Sequence, residues 1–309
     1  MKRKTIEILL ASYNGEAYIR EQIDSILNQT DECWHLTVSD DGSMDQTAEI
    51  LDDYVRRYPN KIARVCSGRK YGHARDHFMW LIQQCEAEYI VPCDQDDFWY
   101  GDKIKKFRDL MQRMESTHGA ETPILIFSDQ TPADAKLQPL CDSLMKMQKQ
   151  YTDEIDWRAL VFQNIVTGGA CMFNRALAKL ACRCEDVSQM IMHDWWLAIV
   201  AARFGEVAYL DESTGYYRQH EHNSVGAKKT QSVGYIADRI RNLKQVQEKI
   251  ALKKRQGMCF CREYRACLSE EDLLFLNGFG LGHSGLGFYW KNRTKIHGLS
   301  RFIGFALLG

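Results

Sequence analysis

A chain of 309 residues, 45% hydrophobic and 26% charged, has the composition of an ordinary globular protein and the length for one large domain with an appendage. Its formal net charge is only −1, yet residues 228–309 hold fifteen Lys/Arg against six Asp/Glu, leaving the preceding part acidic. Eleven cysteines are an odd number in a chain too long for a disulfide scaffold, which points to free thiols in a reducing compartment. The C-x-C pairs Cys182/Cys184 and Cys259/Cys261 have no matching His cluster near them and read as thiols rather than as structural zinc ligands. No run of about 18 apolar residues is present. The start, MKRKTIEILLASYNG, mimics a secretory signal but offers no small-residue cleavage site. These features predict a cytoplasmic protein, or one peripheral on the inner face of a membrane.

In chain order, Ile6–Ser12 reads as a strand and Tyr18–Leu27 as a helix with one apolar face. Leu36–Val38 is a second strand, Ser43–Val55 a helix, Ala63–Cys66 a weak strand and Ala74–Gln84 a helix. Tyr89–Cys93, Lys103–Met114 and Ile124–Phe127 continue the alternation as strand, helix and strand. This order predicts an α/β fold with a mostly parallel, doubly wound sheet, in which ligands bind beyond the carboxyl ends of the strands. Past residue 130 the pattern breaks. QTPADAKLQP reads as a loop, Trp157–Phe162 as a short helix, Ala170–Phe173 as a strand and Asp194–Phe204 as a helix. Glu206–Leu210 reads as a strand running into a loop. From Ile236 to Ile250 an apolar stripe flanked by Lys and Arg predicts a basic amphipathic helix, and the last forty residues show no periodicity. The division expected is 1–227 and 228–309.

Three motifs carry chemistry. In DQDD, Asp94, Asp96 and Asp97 stand directly behind the strand 89–93, and Asp40-Asp41 stand behind the second strand. Converging carboxylates repel unless a cation enters, and Asp-x-Asp at a strand end suits Mg²⁺ or Mn²⁺ with a phosphorylated substrate. Surface acids in a turn are the plainer alternative. In MHDWW, Asp194 opens a helix beside Trp195 and Trp196, where aromatic walls would raise its pKa and suit it to general-base work; an N-cap is the alternative. In YYRQHEHNSVG, Arg218 could clamp a diphosphate and His220 could ligate a metal or bind phosphate, or the stretch is a surface loop. Gly280–Gly285 fits G-x-G-x-x-G, but too little chain follows for a dinucleotide fold.

Ala11-Ser12-Tyr13-Asn14-Gly15, Asp40-Asp41-Gly42-Ser43, Asp94-Gln95-Asp96-Asp97, Thr167-Gly168-Gly169, His193-Asp194-Trp195-Trp196 and Arg218-Gln219-His220-x-x-Asn223 occur in this order. Together they resemble a family 2 glycosyltransferase of the GT-A fold, most similar to its bacterial rhamnosyltransferase-like branch, over residues 5 to 225. The resemblance implies an inverting, metal-dependent transfer of sugar from a nucleotide-diphosphate donor, dTDP-rhamnose or a UDP-sugar. The acceptor implied is a hydroxyl of a growing surface polysaccharide or lipid-linked glycan. It implies Ser12 and Tyr13 at the nucleobase with Asp41 on the base N–H, Arg75 or Asp76 at the base or sugar, and Asp94 at the ribose or a metal-bound water. Asp96 would ligate Mg²⁺ or Mn²⁺, with Arg218 and His220 closing over the pyrophosphate. Gly168, Gly169 and Trp195 would face the acceptor, and Asp194 would be the base. The basic helix fits docking on an anionic membrane leaflet, packing onto the catalytic domain or a homodimer contact equally well; no nucleic-acid module is recognisable. A catalytically silent nucleotide-sugar-binding module and a metal-dependent phosphohydrolase are the competing readings.

Overall fold

The central strands are apolar on both sides because helices cover both faces of one sheet. The computed structural model describes residues 4–150, 152, 155–220, 243–280 and 286–308. Its strands are β1 (Ile6–Ser12), β2 (Trp34–Asp40), β3 (Ile62–Arg64), β4 (Tyr89–Cys93), β5 (Phe98–Trp99), β6 (Ile124–Ala133), β7 (Cys171–Asn174) and β8 (Glu206–Arg218). They form one sheet in the order β3-β2-β1-β4-β7-β6-β8-β5. The β3-β2-β1-β4 half is parallel throughout, whereas β7 runs antiparallel to both β4 and β6, and β6 pairs parallel with β8. The sheet is therefore mixed, with one parallel half.

Alternation along each strand sorts side chains to two cores. Ile6, Ile8 and Leu10 of β1, with Tyr89, Val91 and Cys93 of β4, pack under α1 (Ile19–Leu27), α2 (Thr47–Arg57) and α4 (Lys103–His118). Leu9 and Ile90 point the other way, toward α3 (Ala74–Gln84), α6 (Trp157–Phe162), α7 (Arg175–Ala181) and α8 (His193–Phe204). Helix α8 is buried all round from His193 to Ala201, as expected for a helix lacking a polar face. A short helix, α5 (Leu144–Gln148), follows β6.

A buried ion pair fastens α4 to the sheet. Arg108 Nε donates to Asp31 Oδ2 at 2.7 Å, and its two terminal nitrogens reach the carbonyls of Lys4 and Cys33, also at 2.7 Å. Each of its three nitrogens thereby keeps a partner despite burial.

Two expectations change. Strand β6 runs on to Ala133 and β8 to Arg218, where loops are read from sequence, because these polar segments pair with each other across a register shift near Asp129. Ser128 Oγ meets Thr214 Oγ1 at 2.7 Å and Thr131 Oγ1 meets Ser213 Oγ at 2.8 Å, so hydroxyls replace the apolar contacts of a buried ladder. The basic helix is present as α9 (Leu243–Glu263), and the last forty residues also hold order: α10 (Glu270–Gly280), α11 (Leu286–Lys291) and α12 (Leu299–Leu308) pack by aromatic contacts such as Phe162–Phe279 and Phe279–Phe305. Of the basic stripe, Val246 and Ile250 are buried in the core with Trp157 and Trp196, while Leu243 is exposed. Ile236 and Ile240, the 227/228 boundary and Leu281–Gly285 of the glycine motif lie outside the described residues. Among the described residues no helix is long and apolar enough to cross a membrane.

Candidate active site

Two adjoining cavities open at the carboxyl ends of β1, β2 and β4, and Asp94 and Asp96 line both. The first, about 400 Å³, is walled by Ser12, Tyr13, Asp41, Lys70, His77 and Gln95. Of its acids Asp41 is tied to the main chain, accepting from Tyr71 N at 2.6 Å and Gly72 N at 2.7 Å; beside the cavity Asp40 accepts from Ser43 N at 3.0 Å. Gln95 clamps Tyr13, accepting from its N–H at 2.9 Å and donating to its carbonyl at 3.0 Å. Lys70 Nζ stands 4.3 Å from the centre of the Tyr13 ring. Arg75 lines neither cavity. Its guanidinium donates to Met190 O at 2.8 Å and to Asp76 at 2.7 Å, so it braces α3 against the segment before α8.

The second cavity, about 340 Å³, is bounded by Asn164, Gly168, His193, Asp194, Trp195 and Tyr217. Asp194 lies in the first turn of α8, where the helix dipole favours a carboxylate. It accepts from Trp195 N at 2.6 Å and from Gly168 N and the Asn164 side chain. Burial nevertheless outweighs these bonds and pushes its pKa up to about 6. Neighbouring His193 is buried against Phe78, ring centres 4.2 Å apart, with neither ring nitrogen hydrogen-bonded. Desolvation lowers its pKa to about 3, so the imidazole is neutral. Trp195 is fixed by its indole N–H on Leu160 O at 2.6 Å.

Between the cavities the acids are crowded. Burial, then the charges of Asp97 and Asp96, drives the Asp94 carboxyl well above its usual range, and burial with Asp96 pushes Asp97 up to about 7. Sequence reasoning missed the cation that already answers part of this charge. Lys103 is fully buried, donates to Gly169 O and sits 4.1 Å over the Trp99 ring; burial lowers its pKa to about 8. A lysine at a helix N-terminus opposes the helix dipole, and that misplacement was the available signal. Gly169 permits this packing, since a Cβ there would stand 2.8 Å from Asp97 Oδ2 and 3.1 Å from Asp94 Oδ2. A Cβ at Gly168 would meet His193 Nε2 at 2.9 Å.

His220 Nε2 lies 2.8 Å from Asp96 Oδ2 and its ring stacks on Tyr18 at 4.7 Å. Arg218 sits differently from the diphosphate clamp expected of it. It is buried, its Nε donates to Asp96 O at 2.8 Å, and its terminal nitrogens bond Ala135 O and Glu21. In this arrangement it holds the DQDD turn from behind. A further hollow of about 440 Å³ beside Glu206, Tyr209 and Asp211 is lined by none of these acids.

The mixed α/β sheet with its covering helices and helical C-terminal region is the GT-A fold of glycosyltransferases. The sequence matches the profile of glycosyl transferase family 2 over residues 7–178, and the chain belongs to that family. It is 32% identical over 229 residues, 71% of its length and 74% of the relative's, to the dTDP-rhamnosyl transferase RfbG of Shigella flexneri. Its fold is similar to residues 1–349 of S. aureus TarS in complex with UDP-GlcNAc, with a TM-score of 0.55 and 14% identity over 98% of this chain and 90% of that one. A mannosyltransferase of Pyrobaculum calidifontis in complex with GDP-Man and Mn²⁺ aligns with a TM-score of 0.52 and 14% identity, covering 99% and 87% of the two chains. The protein is accordingly a glycosyltransferase, an enzyme of the nucleotide-sugar-using kind.

Proposed function

We propose that the protein transfers a hexose, with inversion, from a nucleotide-diphosphate sugar to a hydroxyl of a growing surface polysaccharide or lipid-linked glycan. The observation that carries this reading is the shared wall: Asp94 and Asp96 border both cavities, and Asp194 lines only the second. The first cavity suits the nucleotide, with Tyr13 offering an aromatic ring, Ser12 and Asp41 polar groups, and Lys70 a positive charge beside that ring. The second suits the acceptor, bounded by Gly168 and Trp195, with Gly169 behind it.

Asp96 and His220 present an oxygen and a nitrogen 2.8 Å apart beside carboxyls that repel one another. The Asp96 carboxylate suits Mg²⁺ or Mn²⁺, ions that complete their shell with water and phosphate, and a nitrogen ligand from His220 would favour Mn²⁺ of the two. Such an ion would supply charge neutralisation for the departing diphosphate. Asp194, ionised at neutral pH yet more basic than a free aspartate, takes the proton of the acceptor hydroxyl as its oxygen forms the new bond to the anomeric carbon. Lone displacement from the face opposite the leaving group inverts that carbon, the outcome a single carboxylate base also gives in hydrolases. Neutral His193 adds no charge to compete for the proton.

The likeness to RfbG supports dTDP-rhamnose as donor. Exposed Leu286, Trp290 and Ile303 on the C-terminal helices support peripheral docking at the inner membrane face, where lipid-linked glycans grow. The decisive test measures thermal stabilisation by dTDP, UDP and GDP, each with and without Mn²⁺, for the wild type and Asp96→Ala. A shift with one nucleotide that requires the ion and vanishes in the variant is expected; no shift with any nucleotide overturns the donor site.

A further inference from the structure

Two cysteines far apart in sequence meet where the catalytic fold joins the C-terminal helices. Cys184 follows α7, Cys259 lies on α9, and their sulfurs are 3.6 Å apart with both residues buried. Glu263 stands one turn beyond Cys259 on the same face of α9. Its carboxylate completes a trio whose ligand atoms all lie within 4.8 Å of one another.

The spacing discriminates between uses of such a pair. Two thiolates on a tetrahedral zinc with bonds of about 2.3 Å lie about 3.8 Å apart, close to the separation found, whereas a disulfide needs about 2.05 Å. Charge points the same way. Arg262 Nη2 is 3.5 Å from Cys259 Sγ, and its Nε donates to Glu263 at 3.0 Å. Two thiolates and a carboxylate would be balanced by one divalent ion and that guanidinium.

We infer that Cys184, Cys259 and Glu263 form a zinc site, separate from the catalytic centre and of opposite ligand character. Sulfur ligands select a soft or borderline ion, whereas Asp96 and His220 suit a harder one. Binding forms two Zn–S bonds and one Zn–O bond and releases the thiol protons still present to solvent. A water fills the fourth position on the partly exposed Glu263 side, which is also the way in. The ion would pin α9 to the segment 184–190. That segment receives Arg75 through Ser188 O and Met190 O, and Ile191 N donates to Gln256 of α9 at 2.7 Å just before the helix bearing Asp194.

The test uses the full chain, stripped with a chelator and titrated with Co²⁺, whose thiolate complexes absorb in the near ultraviolet whereas oxygen and nitrogen complexes do not. The expected result is absorption that saturates at one ion per chain and is displaced by Zn²⁺. It is lost in Cys184→Ser and Cys259→Ser and kept in Asp96→Ala. Absence of this absorption in the wild type, or its survival in both cysteine variants, overturns the site. Should the serine variants fail to fold, alkylation of the wild type mapped by mass spectrometry decides. Zn²⁺ must protect Cys184 and Cys259 selectively, and equal labelling with and without Zn²⁺ overturns the proposal.

Discussion

The two cavities share Asp94 and Asp96 yet differ in how their other polar groups are kept. In the first cavity Asp41 is held by main-chain amides, those of Tyr71 and Gly72. In the second, burial wins, leaving Asp194 near 6 and His193 neutral with no hydrogen-bond partner. A satisfied wall holds a ligand without changing protonation state, whereas a desolvated one is poised to move a proton.

The contrast breaks most severely at Asp194. Asp194→Asn is expected to lower turnover by about 10²–10⁴-fold, the usual share of a general base, while nucleotide binding measured by calorimetry stays unchanged; near-normal turnover would remove Asp194 from the role. In the wild type the same residue sets the pH profile. A base must be ionised, so kcat/KM should fall as pH drops through about 6, against about 4 for a free aspartate. Arg108→Ala, which takes the guanidinium away from buried Asp31 at a place bordering neither cavity, should cost about 3–5 kcal/mol of stability by denaturant titration. Turnover of the folded fraction should be unaffected. Gly169→Ala drives a methyl toward Asp97 and Asp94 and should cost about 1–3 kcal/mol, with activity falling further than the melting temperature suggests because both cavities lose their common wall. The smallest effect belongs to the satisfied side: Lys70→Ala removes a cation over Tyr13 and should weaken nucleotide binding by about 0.5–1 kcal/mol, leaving the pH profile in place.

Much of the fold was legible because β1 to β4 and their helices obey simple periods. The strands are short apolar runs, and α1 to α4 repeat apolar residues at helical spacing. Strands β6 and β8 were legible only to Phe127 and Leu210, since beyond them Ser128, Thr131, Ser213 and Thr214 satisfy one another across the ladder, and a hydroxyl pair leaves no hydrophobic signature. Helices α10 to α12 escaped because aromatic residues distributed around them pack on several neighbours at once. At the site, the acids and Asp194 were visible as motifs, and the structure gathers Ser12, Tyr13, Asp41, Asp94 and Asp96 around one cavity. Lys103 and the actual partners of Arg218 were hidden, because Gly169, Ala135 and Glu21 are brought there by tertiary folding from 66, 83 and 197 residues away.

The shared core of α8 and α9 also orders the protein's assembly in time. As the chain leaves the ribosome, the helices covering one face of the sheet, α1, α2 and α4, are complete by His118. The other face presents Trp157, Trp196 and Phe162 until α9 and α10 bring Phe260, Tyr264, Phe275 and Phe279 against them. A nascent or truncated chain ending before Leu243 would carry that aromatic surface uncovered, an invitation to chaperones and to aggregation. The face under α1, α2 and α4 can thus be covered during translation, whereas the face carrying α6 and α8 is covered only when α9 and α10 arrive.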